Sequence, residues 1–118
     1  MSAVGGISIH CVDVAHGRVA VGLRVRLTRL DGRPIAQGQV GPKGLFEHQA
    51  LLGPEIMSGG YIATFSVGAF YRERGTPVPD PAFLEEVPYH FHIADVAQHY
   101  HLPFKFTPWG FSLFRGGA

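Results

Sequence analysis

Seven histidines in 118 residues are the groups in this chain best suited to chemistry near neutral pH, because imidazole exchanges its proton there. His99 and His101 flank Tyr100 in HYHLP, and His90 and His92 flank Phe91 in YHFHI. Residues two apart on an extended strand share a face, so each pair presents both rings to one side. His10 stands inside ISIHCVDV and shares its face with Ser8 and Val12. A neutral imidazole activates water as a general base. His10 and His101 would serve one cleft if the strands that carry them lie side by side. Arg115, near the chain's end, is a fixed cation suited to clamp an oxyanion or an anionic substrate.

Other chemistry is less well supplied. Two histidines at i and i+2 can ligate zinc, but such a site needs a third fixed ligand and carboxylates behind the rings. Asp95 is the nearest acid to either pair. No metal and no cofactor is therefore expected, and His90 and His92 read as a solvated strand face. For His99 and His101, the polar lining of a subunit interface competes with catalysis. Cys11 neighbours His10 but points to the opposite face of the strand, so it reads as a buried thiol and not as the nucleophile of a Cys–His pair.

The elements that must position these groups are short strands. ISIHCVDV (7–14) and LRVRLTRL (23–30) alternate apolar and polar residues, the period of a half-buried strand. AHGR (15–18) and DGRP (31–34) read as turns. IAQGQV and LFEHQAL are strand candidates around GPKG, and GYIATFSVG, VPYHFHIA, HLPFKFT and GFSLFRG follow. About eight strands with turns every 8–12 residues describe an all-β sandwich. AFYRERG (69–75) is the candidate for a single short helix, ended by Gly75.

Composition narrows the partners. The length fits one domain over 1–118. Charged residues are only 16% and hydrophobic residues 46%, which supplies a core and hints at a buried subunit interface. A net charge of +1 gives no footprint for nucleic acid. No apolar run is long enough for a membrane span, and the start, MSAVGGISIH, lacks the pattern of a signal peptide. One cysteine suits a reducing compartment, so a cytoplasmic protein is expected.

HCVD near the start, VGAFYRERG, FLEEVPYHFHIAD, HYHLP with its following PWG turn, and the terminal SLFRGG occur in the order seen in one family. The chain resembles the transthyretin-like family in its 5-hydroxyisourate hydrolase branch, from about Ile7 to Gly117. The resemblance implies a sandwich of two four-stranded sheets with one short helix. It implies a homotetramer, a dimer of dimers, with active sites in the channel where the dimers meet, lined by the first and last strands. The terminal strand would then be buried against partner subunits. His10 matches the family's first catalytic histidine, and His101 its second, with His99 beside it.

Two departures stand within that resemblance. The family's terminal Tyr-Arg-Gly-Ser is here Phe114-Arg115-Gly116-Gly117, and the arginine of its Asp-Gly-Arg motif is here Leu45. Glu47 lies two residues beyond Leu45 and shares its strand face, while Lys43 sits in the turn. The resulting expectation assigns His10, His101 and Arg115 to catalysis, and His99, Leu45, Glu47, Phe114 and Gly117 to substrate binding. The implied activity is hydrolysis of 5-hydroxyisourate or a closely related cyclic amide. Leu45 and Phe114 make the pocket less polar, so a same-fold enzyme with a less polar cyclic substrate in a biosynthetic pathway is the alternative. A non-catalytic ligand-binding tetramer is a further one.

Overall fold

The computed structural model describes residues 5–117; residues 1–4 and 118, which the reading of one domain over 1–118 includes, lie outside the described residues. Nine strands are present among the described residues: β1 (Ile7–Asp13), β2 (Arg18–Val19), β3 (Arg24–Arg29), β4 (Pro34–Gln39), β5 (Leu45–Phe46), β6 (Gly59–Phe65), β7 (Val87–Ile93), β8 (Tyr100–Phe106) and β9 (Phe111–Leu113). One helix, α1 (Val67–Glu73), follows β6. The strands form two sheets, one ordered β4-β3-β6-β7, the other β2-β1-β8-β9 with β5 also paired to β1. The second sheet counts five strands but is at most four across at any level. β2 pairs with the end of β1 at Val12 and Asp13, and β5 pairs lower on the same edge at Ile9 and His10.

Alternation decides which face each strand buries. In β1, Ile7, Ile9, Cys11 and Asp13 are buried, while Ser8, His10 and Val12 are half-exposed on the outer face. In β8, Tyr100, Leu102, Phe104 and Phe106 turn inward. β1 and β8 run parallel in unbroken register, with Ser8 opposite His101 and His10 opposite Pro103. That pairing places the outward residues of both strands on one surface.

Aromatic rings join the two sheets. Phe65 on β6 stacks on Phe104 of β8 with centroids 3.9 Å apart. Phe70 and Tyr71 on α1 meet Phe106 edge-on at 5.5 and 5.7 Å. The Tyr71 hydroxyl donates to the buried Asp13 carboxylate at 2.7 Å, and His16 Nδ1 lies 2.7 Å from its other oxygen. Burial first, then the hydrogen bond and charge of Asp13, push the Tyr71 pKa upward. A buried carboxylate without such partners would be costly.

Three local expectations shift. The helix begins at Val67, two residues before AFYRERG, because Val67 and Gly68 are themselves buried, with the Gly68 N–H donating to the Glu85 carbonyl at 3.0 Å. It ends before Gly75, whose φ is +73°. LFEHQAL is extended only at Leu45–Phe46; His48 Nδ1 then accepts from the Ala50 N–H at 3.0 Å and caps a 3-10 turn over Gln49–Leu51. GFSLFRG is a strand only to Leu113, although the Gly116 N–H still donates to the His101 carbonyl at 2.7 Å.

Candidate active site

On the outer face of the β1–β8 pair, imidazoles and a hydroxyl converge. Ser8 Oγ lies 2.8 Å from His99 Nε2 and 2.6 Å from His101 Nδ1. His99 reaches further, placing its Nδ1 2.9 Å from the Gly5 carbonyl. His10 is the diagonal neighbour of His101 across the register, two positions along β1 from Ser8. Diagonal pairs in a sheet are within reach of long or aromatic side chains. Burial, then the charges that His10 and His99 would carry, hold the His101 pKa below the usual imidazole value. His101 is thereby kept neutral at pH 7, the form a general base requires.

The Gly44 turn sets His10. Gly44 has φ +81°, and a Cβ there would stand 2.8 Å from His10 Nε2 and from a Val19 methyl. Gly44→Ala is expected to cost roughly 1–2 kcal/mol in left-handed backbone strain and to push the His10 ring aside. Thermal unfolding checks the first effect, and a fall in activity larger than the loss of folded protein checks the second.

The substrate-side expectations divide. Leu45 is directly opposite His10 in the β1–β5 pairing. Leu45 and Glu47 line a cavity of about 250 Å³ together with Ser8, His99 and Leu52. Gly116 packs on His101, since a Cβ there would lie 2.9 Å from the ring's Cδ2. Phe114 is 50% exposed, and Gly117 is open to solvent. Arg115 sits with its guanidinium 4.0 Å from the centre of the Tyr100 ring. It donates to Gln98 Oε1 at 3.0 Å and to the His99 carbonyl at 3.2 Å. Those contacts fasten the terminal segment to the start of β8, and none of them is with the His10 or His101 ring.

Ser8 is the site residue that sequence reasoning left without a role, although its place two residues from His10 was the available signal. His90 and His92 are exposed on the other sheet. Among the described residues, no group of three or more His, Cys, Asp or Glu is placed to hold a metal ion. Burial pushes the Cys11 thiol pKa upward, which keeps it protonated and unreactive.

A two-sheet sandwich with one helix, carrying histidines on the outer face of its first and penultimate strands, defines a transthyretin-like protein. The chain belongs to the HIUase/transthyretin family, whose model matches residues 7–116. It is 39% identical over 119 residues to 5-hydroxyisourate hydrolase 2 of Rhizobium meliloti, covering 98% of this chain and 99% of that one. It is 34% identical to the 5-hydroxyisourate hydrolase of Pseudomonas aeruginosa over 96% of this chain and 92% of that one. Among solved structures, an (S)-allantoin synthase superposes with TM-score 0.89 and 30% identity, covering 98% of this chain and 45% of that chain. The Klebsiella pneumoniae 5-hydroxyisourate hydrolase superposes with TM-score 0.80 and 27% identity, over 96% of this chain and 99% of that one.

Proposed function

We propose that this chain is a hydrolase that opens the ring of 5-hydroxyisourate, or of a closely related cyclic ureide, by histidine acid–base catalysis. The observation that carries the reading is the convergence of His101, Ser8 and His99 beside His10 on one exposed sheet face. His101 takes a proton from water as it attacks the ring carbonyl. His10 gives a proton to the ring nitrogen as the C–N bond breaks, leaving a carboxylate and a free amide or amine. His99, Leu45, Glu47, Phe114 and Gly117 form the walls of the substrate site. Arg115 supports it by holding Phe114–Gly117 against β8. The reaction needs no cofactor.

The test generates 5-hydroxyisourate from urate with urate oxidase and follows its absorbance decay. Acceleration over the spontaneous rate supports the reading, and no acceleration removes it.

Leu45 favours a second reading, an enzyme of the same fold with a less polar cyclic substrate. An arginine at 45 would face His10 across the β1–β5 pairing. Leu45→Arg is expected to raise kcat/KM for 5-hydroxyisourate by about 10²-fold, the effect of one preorganised donor to developing negative charge. An unchanged or lower value would show a pocket shaped for the less polar substrate.

The same face bears on assembly. Phe114 and Leu52 are 50% and 59% exposed, and Leu52 lines the cavity beside His99. Exposed apolar groups around a site favour burial by another copy of the chain. The single domain is proposed to form a homotetramer, a dimer of dimers, in the cytoplasm, with the imidazole face toward the channel. Sedimentation velocity that gave only single subunits would overturn this. No helix among the described residues is long and apolar enough to cross a membrane.

A further inference from the structure

We infer that Ser8 and His99 are positioning residues that dictate which ring nitrogen of His101 bears hydrogen, leaving Nε2 as the free base. The inference rests on the hydrolase reading for its catalytic meaning, but its structural content stands on hydrogen counting alone.

The chain of contacts begins at a group that can only accept. The Gly5 carbonyl lies 2.9 Å from His99 Nδ1, so that nitrogen must carry hydrogen and donate. A neutral imidazole has one N–H, so His99 Nε2 carries a lone pair. Ser8 Oγ, 2.8 Å away, must give its single hydrogen to that lone pair. The same oxygen is 2.6 Å from His101 Nδ1 and has no second hydrogen to offer. It accepts, and His101 Nδ1 donates. The remaining nitrogen of His101, Nε2, is left with its lone pair.

No other ordering satisfies all three contacts with neutral rings. Reversing it would require the Gly5 carbonyl to donate. The elements enforce the geometry. Ser8 and His101 are register partners in the parallel β1–β8 pairing. The carbonyl of Gly5 is brought close by a backbone with φ +101°, where a Cβ would stand 2.3 Å from the Val96 carbonyl oxygen. A side chain at position 5 would therefore remove the acceptor that starts the relay. Gly116 closes over Cδ2 of the His101 ring, the carbon next to Nε2.

The consequence for chemistry is orientation. A histidine free to exchange tautomers offers a lone pair at Nε2 only part of the time. Here the base is preset at the nitrogen away from β1, with its Nδ1–H held by a relay that ends on a backbone carbonyl.

Ring nitrogen NMR on ¹⁵N-histidine-labelled protein at neutral pH reads the tautomer directly. The wild type is expected to show His101 with Nδ1 protonated and Nε2 bare. Ser8→Ala should shift the His101 pattern toward the Nε2–H form and lower kcat at least about tenfold with little change in KM. Ser8→Thr, which keeps the hydroxyl, should restore both. A wild-type His101 protonated at Nε2, or a Ser8→Ala spectrum identical to wild type, would overturn the inference. The spectrum needs no substrate, so the expected tautomer without ring-opening activity would sink the hydrolase reading and leave the relay standing.

Discussion

Replacing His101 with alanine is expected to lower kcat for ring opening by about 10²–10⁴, the usual contribution of a positioned general base. KM should change far less, because the cavity walls at Leu45, Glu47 and Leu52 stay in place. Ring-opening kinetics on freshly generated 5-hydroxyisourate measure both constants. Retained kcat would remove the base role from His101. The acid limb of the wild-type pH profile adds a second reading of the same group. Burial and the neighbouring His10 and His99 depress the His101 pKa below 6.5. Activity should therefore persist below pH 6.5 and fall only as pH drops through that lower value. The sign for stability is the same. The unfolded chain takes up the His101 proton first, so any stability from the neutral ring is present above about 6.5 and is lost as pH falls through the folded value.

Phe104→Ala should produce the largest loss of stability. Phe104 is fully buried, stacked 3.9 Å from Phe65, with Phe106 at 4.9 Å and Phe111 at 5.7 Å. Truncating such a ring removes transfer free energy and leaves a cavity, together about 3–5 kcal/mol. Total stability of a domain is only about 5–15 kcal/mol. The melting temperature should drop by more than ~10 °C, and urea unfolding should show a lower midpoint. A shift of only a degree or two would mean that the Phe65–Phe104 contact does not join the two sheets. Phe104 sits three residues from His101 but turns inward, so catalysis per folded molecule should survive in the cold.

Much of the architecture was legible in the sequence. The alternation of ISIHCVDV and LRVRLTRL reports which face is buried because strand side chains have a period of two. The sandwich class follows from strand count and turn spacing. Contacts between distant parts of the chain are not written in any local pattern. Nothing in HCVD or HYHLP states that β1 lies parallel to β8, and the family resemblance implied only that His10 and His101 belong to one site. Ser8 was visible as a companion of His10, but its role depends on two partners more than ninety residues away. Arg115 looked like a free cation, because neither the Tyr100 face nor the His99 carbonyl can be seen until the tail folds back. The break in LFEHQAL came from a side-chain cap by His48, a local competitor that strand propensity does not register.

The parallel seam between β1 and β8 also sets an order of events during translation. Ser8 meets His101 across 93 residues, a separation whose closure entropy must be met before the contact gives anything back. On the ribosome, β1 waits with one backbone edge unsatisfied until β8 has been made. The nascent chain therefore carries a sticky ribbon and no assembled histidine cluster, and both conditions end together when β8 docks on β1.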